Sequence, residues 1–445
     1  MSKQKSKQKK LKSIKTKRKI LIGFEVVFAI LVLAAASILF IPTVKAMAIQ
    51  AVASSSMGKY WIKYFGQQSY DSSVYDYNFD ENKIKTNDME YNYSTEYTNF
   101  IIFGIDTRTT QFDSGTNSDS MLVVSIHNTT GEVKIVSIYR DTYMRVYYSD
   151  GESYYYTKIN AAYSVGGAEG AINTLNRNLD LQLTDYVTVN FSGVAKIIDC
   201  LGGIEVNLTE NELAQLNYHL EGTAIATGEY TAQVPSAGKN IHLNGVQATT
   251  YCRIRKATFY DPETGDAVRD DFGRAARQRS VIMKLVEKAK GASVAELTEM
   301  LNTVLSANSK QEQIIKTSFT MDEMIDMIPI IFKFELAGSE GFPRKLTTGY
   351  IGSTSYVFPK GHARNVSILH DFLYGEEDYN TTAIVNEIGS EITATTGITE
   401  DLSDDDVDDT ISHISNPDIS DMVDETITEE DYDFDYDDGG QSEFY

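Results

Sequence analysis

The pattern of apolar and polar positions divides this chain into blocks. Ile20–Ile41 (ILIGFEVVFAILVLAAASILFI) is a run of 22 mostly apolar residues, about 33 Å long as a helix, which matches a bilayer core of roughly 30 Å. It predicts one membrane-spanning helix. Its single charge, Glu25, lies in the second turn from the basic end, close enough to reach the interface. Residues 42–95 are rich in Tyr, Ser, Asn and Asp without a sustained period, and read as a stalk or accessory segment.

From Asn99 the pattern changes. NFIIFGI, DSMLVVSIH and EVKIVSIY read as buried strands, the last two joined by Asn128-Thr129-Thr130-Gly131, which suits a hairpin turn. GAEGAINTLNRNLD and FSGVAKIIDCLGG read as helices, DYVTVN and GIEVNL as strands. Thr209 and Glu212 form a capping box at the head of TENELAQLNYHL. Tyr251–Arg255 reads as a strand that would turn Arg253 and Arg255 to one face. Beyond it, FGRAARQRSVIMKLVEKAK reads as a helix capped by Asp270 or Asp271, with Ala275, Ile282, Leu285, Val286 and Ala289 as its apolar stripe. Helical segments in 291–335 and a strand around 349–358 complete the domain. Alternating strands and helices predict an α/β domain over 96–375. Residues 376–445 turn polar and then acidic, and predict a disordered tail.

Charge fixes the orientation. Residues 1–19 carry ten Lys or Arg and no acid, so they stay in the cytoplasm and the chain after about Pro42 lies outside it. Ala46-Met47-Ala48 resembles a cleavage site, but the apolar run is longer than a signal-peptide core, which favours an uncleaved signal anchor. Residues 401–445 carry eighteen Asp or Glu and no Lys or Arg. Of the formal net charge of −23, the section between these ends keeps −15. That balance argues against a nucleic-acid partner, which would need a broad basic surface. Cys200 and Cys252 supply no disulfide framework, and two unlinked thiols are expected.

Six arginines nevertheless fall between Arg253 and Arg279. Guanidinium forks fit phosphate oxygens two at a time, so this concentration points to a diphosphate ligand. Three short strings add charge at strand ends: Gly104-Ile105-Asp106-Thr107-Arg108, Ser118-Asp119-Ser120 and Tyr139-Arg140-Asp141-Thr142. At one sheet mouth, Asp106 and Asp119 would hold Mg²⁺ together with substrate phosphates, while Arg108 and Arg140 approach the anion. No P-loop, HExxH, CxxC or GxSxG pattern is present.

NFIIFGIDTR, NSDSMLVVSI, VSIYRDTYM, KINAAYSVGG, DCLGGIEVN, HLNGVQATTYCRIRK and DFGRAARQRSV, in this order over roughly 96–290, resemble the LytR-CpsA-Psr family. The resemblance implies a central mixed β-sheet flanked by helices with an apolar lipid pocket. It implies an extracytoplasmic phosphotransferase that moves an anionic glycopolymer, teichoic-acid-like or capsular, from a polyprenyl pyrophosphate carrier to peptidoglycan. By position, Asp106 and Asp119 match the family's Mg²⁺ carboxylates. Arg108, Arg140, Arg253, Arg255, Arg274 and Arg277 match its phosphate-facing arginines, and Asp271 and Gln278 match further site positions. Asn117 and Tyr139 depart from the residues common in relatives, Arg and Pro. Asp106, Asp141 and Asp271 remain open as general base. Two rival functions are hydrolysis of polyprenyl pyrophosphate and a non-catalytic, membrane-tethered regulator or wall-binding module.

Overall fold

Strands buried on both faces form the centre of the protein. In β1 (Tyr97–Ile105), Ile101, Phe103 and Ile105 face one way and Phe100 and Ile102 the other. β2 (Ser118–His127) separates Met121 and Val123 from Leu122, Val124 and Ile126. β3 (Glu132–Ile138) separates Val136 and Ile138 from Val133 and Ile135. This is the period-two alternation of pleated strands, with both sets apolar because both faces are covered. The β2–β3 turn closes as expected: Gly131 N donates to His127 O at 2.8 Å with φ +81°, and a Cβ there would meet Lys333 O at 2.4 Å. Only glycine fits that approach.

The computed structural model describes residues 74–400, apart from 107–111, 113–114, 262–264, 301–312 and scattered positions between 294 and 332, together with Ser55 and 411–413. All of these but Ser55 lie in one compact unit, Lys63–Tyr445. The remaining elements are β4 (Tyr143–Tyr147), β5 (Tyr154–Lys158), α1 (Ala161–Leu179), β6 (Asp185–Val189), α2 (Phe191–Cys200), β7 (Ile204–Leu208), α3 (Glu210–Thr227), β8 (Gly238–Leu243), α4 (Gly245–Tyr251), β9 (Phe259–Tyr260), β10 (Asp266–Val268), α5 (Asp270–Gly291), β11 (Ile315–Thr317), β12 (Glu335–Phe342), β13 (Leu346–Ile351), β14 (Thr354–Pro359), α6 (His362–Tyr374), α7 (Ala383–Thr396) and β15 (Ile411–His413).

The main sheet has six strands in the order β11-β6-β1-β2-β3-β12. β1 pairs with β6 and β3 with β12 in parallel, and the other neighbours are antiparallel, so the sheet is mixed. Its first face packs against α1 and α6 through Ala171, Leu175, Val366 and Leu369. The opposite face packs against α5 through Met283, with Phe319 and Phe334. A third core joins α2, α3, α4 and α5. The capping box of α3 is present, with Glu212 N donating to Thr209 Oγ1 at 3.2 Å and Thr209 N to Glu212 Oε2 at 3.0 Å.

Three expectations change. The described part of 42–95 is built into the domain: Val74 is fully buried, Tyr186 Oη donates to Asp76 at 2.6 Å, and Asn87 Nδ2 donates to Asp180 Oδ1 at 2.7 Å. The domain also continues past Glu376, because α7 buries Val385, Ile388 and Ile392 at helical spacing. The strand around 349–358 is a hairpin, β13–β14, that turns at Gly352 with φ +63°. The apolar run Ile20–Ile41 lies outside the described residues, among which no helix is long and apolar enough to cross a membrane. Cys200 and Cys252 are not joined by a disulfide.

Candidate active site

A bulge at the end of the β1–β2 ladder builds one side of the site. Gly104 pairs with Ser120 but Ile105 with Ser118, so Asp119 is the extra residue, re-aimed by the local kink. Gly104 is required there, since a Cβ would lie 2.9 Å from Ser120 Cβ. Asp106 follows Ile105 directly, so two acidic residues stand at the same end of neighbouring strands. Arg108 lies outside the described residues.

The end of β3 supplies the next pair. Thr142 Oγ1 donates to Tyr139 O at 2.6 Å and Asn160 N to Arg140 O at 3.1 Å, which fixes the Tyr139–Thr142 turn. Arg140 Nη1 then meets Asp119 Oδ1 at 2.6 Å, and Lys158 Nζ, from the end of β5, meets Asp141 Oδ1 at 2.8 Å.

Asp271 closes the cluster from the first turn of α5, where the helix dipole favours a carboxylate. It lies 2.7 Å from Arg274 Nη2, 3.3 Å from Arg255 Nη2 and 3.5 Å from Arg140 Nε. Arg274 Nη2 also donates to Asp119 O at 3.3 Å. Asp119, Asp141 and Asp271 are thus interleaved with Arg140, Arg255, Arg274 and Lys158 in a cluster that is only partly exposed. Burial opposes the charge on Arg140, but the carboxylates of Asp271, Asp119 and Asp141 outweigh it and raise its pKa above the ordinary arginine value. Such a cluster is organised to receive an anion with little rearrangement.

The segment carrying Arg253 and Arg255 is not a strand. Asn244 and Gln247 form a second capping box and start α4, which runs to Tyr251. Thr249 and Thr250 send their hydroxyls back to Gly245 O and Val246 O at 2.7 and 2.8 Å, so these β-branched residues stay helical. The two arginines leave the helix end in different directions. Arg255 reaches Asp271, whereas Arg253 Nη1 donates to Thr223 Oγ1 at 2.9 Å and its guanidinium lies 4.6 Å from the centre of the Phe191 ring. Gln278 Nε2 donates to Cys252 O at 3.3 Å and so ties α5 to this loop. Neither Asp270 nor Asp271 caps α5 through its side chain, the N-cap being Arg269.

Arg277 is not in the cluster. It is fully buried, donating to Glu212 Oε1 at 2.9 Å and to the carbonyls of Ile254 and Ala257, between the rings of Tyr251 and Phe259. In the structure it braces the loop that presents Arg255. Tyr139 is buried edge-on against Phe272, at 4.7 Å between ring centres, and holds α5 beside the β3 turn. Lys158 is the cluster member that sequence reasoning missed. Its signal was the Lys-Ile-Asn string at the end of a strand.

A model of the LytR_cpsA_psr family matches residues 63–332, more than half of the chain. The chain belongs to this family. A polyisoprenyl-teichoic acid–peptidoglycan teichoic acid transferase TagU of Bacillus cereus is 34% identical over 233 residues, 52% of this chain and 64% of the relative. Biofilm regulatory protein A of Streptococcus mutans is 31% identical over 249 residues, 54% of this chain and 56% of that protein. The chain therefore spans less than two thirds of the length of both relatives. A crystal structure of a Streptococcus agalactiae protein has a similar fold, with 24% identity and a TM-score of 0.50 over 65% of this chain and 91% of that one. The mixed sheet flanked by helices is the family's fold in this chain.

Proposed function

We propose that this LytR-CpsA-Psr protein is a membrane-anchored, extracytoplasmic phosphotransferase. It moves an anionic glycopolymer, teichoic-acid-like or capsular, from a polyprenyl pyrophosphate carrier to peptidoglycan. The observation that carries this reading is the convergence of Arg140, Arg255 and Arg274 on Asp271, with Asp119 and Lys158 beside them. The name of the TagU relative supports the substrate class.

An acceptor hydroxyl attacks the phosphorus that bears the glycopolymer. The bond to the bridging oxygen breaks, and polyprenyl phosphate leaves with the electron pair. Negative charge grows on the transferring and leaving oxygens, where fixed guanidinium groups stabilise it more than they stabilise the ground state. Asp271 keeps the arginines aligned. Asp141, paired with Lys158, and Asp106 are the remaining carboxylates offered for the hydroxyl proton.

Two carboxylates at the end of adjacent strands fit Mg²⁺, which is commonly held by one or two carboxylates and substrate phosphates. Asp106 and Asp119 would hold it, and the ion would supply charge neutralisation at the diphosphate. Among the described residues no three His, Cys, Asp or Glu side chains gather as a closed cage, so substrate oxygens would complete the coordination. A groove of about 390 Å³ along α5 is lined by apolar Met283 and Leu336 as well as by Lys284, Lys288, Glu205 and Asp261.

The test is incubation of the full-length protein with a lipid-linked glycopolymer and a peptidoglycan glycan oligomer. A phosphodiester-linked product and free polyprenyl phosphate are expected. Release of polymer phosphate into water whether or not acceptor is present would instead identify a hydrolase.

A further inference from the structure

Tyr139 lies between the end of β3 and Arg140, and its side chain, 9% exposed, meets α5 at two points. The ring stands edge-on to Phe272, with centres 4.7 Å apart and 88° between the planes. The hydroxyl is hydrogen-bonded to Arg279. Phe272 and Arg279 are seven residues apart, which puts them two turns apart on one face of the helix.

The hydroxyl end of this contact is enclosed. Gly341 of β12 lies against it, and a Cβ at that position would overlap the Tyr139 hydroxyl. Arg279 is 6% exposed, and among the described residues its Nε and Nη1 have no hydrogen-bond partner. Glu340 is near enough to feel its charge. Opening the bond to Tyr139 would leave more of a buried guanidinium unsatisfied, so that bond resists opening.

The backbone of Tyr139 is held as firmly as its side chain. Its N–H donates to Phe342 O at 3.0 Å, and its carbonyl accepts from Thr142 N at 3.1 Å and Thr142 Oγ1 at 2.6 Å. Both ends of the contact border the charge cluster: Arg140 follows Tyr139, and Asp271 precedes Phe272. Arg140 Nη1 meets Asp119 at 2.6 Å, a distance set within neighbouring strands, whereas Arg140 Nε lies 3.5 Å from Asp271, a distance set by where α5 stands against the β3 turn. Arg277 and Gln278 tie α5 to the loop of Arg255 instead, and Met283 meets the sheet through apolar contact, which has no direction. Tyr139 supplies the directional tie to the β3 turn.

We infer that Tyr139 is a positioning residue: by gripping Phe272 and Arg279 it sets the Arg140 guanidinium against Asp271 and so fixes the donors offered to a diphosphate. This rests on the anion-binding role proposed for the cluster, and its test separates the two. Full-length protein is titrated calorimetrically with inorganic pyrophosphate in magnesium buffer. Tyr139→Leu removes both contacts and is expected to weaken binding about tenfold, whereas Tyr139→Phe keeps the ring on Phe272 and is expected to weaken it about threefold. In an Arg140→Ala background the same replacements are expected to change binding by less than about twofold, because their effect passes through Arg140. A merely structural role would lower affinity alike in both backgrounds. Thermal melting establishes that each variant is folded, and Tyr139→Phe carries the same cycle if Tyr139→Leu fails to fold. Native affinity in the folded variants, an equal loss with and without Arg140, or no pyrophosphate binding by the native protein would overturn the assignment. If the cycle comes out as expected but native protein transfers no polymer, the positioning role stands and the transferase reading falls. If native protein transfers polymer but the loss is equal in both backgrounds, the reverse holds.

Discussion

Arg274 and Arg277 stand three residues apart on α5 and belong to different physical worlds. Arg274 meets Asp271 and the Asp119 carbonyl at the edge of a half-open cluster, alongside Arg255 and Arg140. Arg277 has no exposed surface, and its partner Glu212 is 3% exposed. Three residues on a helix turn a side chain by roughly 300°, but the neighbours decide its role more than the angle does. A paired charge in a dry interior holds the fold, because losing its partner is costly. Arg274, although only 8% exposed, shares its partner Asp271 with Arg255 and Arg140 in a cluster that is open in part, where a ligand can reach it.

Breaking the buried pair gives the largest effect. Arg277→Ala leaves Glu212 desolvated and alone and is expected to destabilise the protein by about 3–5 kcal/mol, read as a fall in the denaturant midpoint. Adding Glu212→Gln should recover part of that loss. Full stability in Arg277→Ala would erase the distinction drawn between the two arginines. At the open cluster the expectation reverses. Arg255→Ala is expected to lower the transfer rate by about 10²–10³-fold, the usual cost of one fixed transition-state donor, with a stability change below about 1 kcal/mol. Normal turnover by this variant would remove the cluster from the chemistry.

A buried histidine sharpens the contrast through pH. His362 donates from Nε2 to Asn178 O at 2.9 Å, and burial lowers its pKa from 6.5 to about 4. Its folded pKa is depressed, so the unfolded chain binds the proton first. The stability is fully present above pH 6.5 and is lost as pH falls toward 4, by about 3 kcal/mol for that displacement. His362→Gln should flatten this part of the urea-midpoint profile. An unchanged slope would remove His362 as its cause. The smallest effect belongs to a half-exposed partner: Glu391→Gln weakens its contacts with Arg145 and Tyr156 and should cost about 1 kcal/mol, measured by thermal melting.

The strands of the central sheet were legible because near-continuous apolar runs end in polar turn residues. The Thr209–Glu212 box was legible because capping is local. Tyr251–Arg255 misled for the same reason: apolar Tyr251, Cys252 and Ile254 suggest a strand, whereas the Asn244–Gln247 box and the packing of Gly245 against Ala195 O start a helix that runs to Tyr251. Burial of Arg277 had no trace in its own segment, since Glu212 lies 65 residues away. Asp119, by contrast, could be placed at the sheet end, although the bulge that aims it depends on register between strands.

The helix after Glu376 also bears on how the chain tolerates shortening. A polypeptide ended at Glu376 would lose both acidic partners of Arg145 and strip the lid from Tyr143 and Phe358, which pack on Ile388 and Ile392. The resulting bare guanidinium and greasy hollow would favour clumping over a trimmed soluble enzyme, whereas ending the chain past Gly397 keeps that surface sealed.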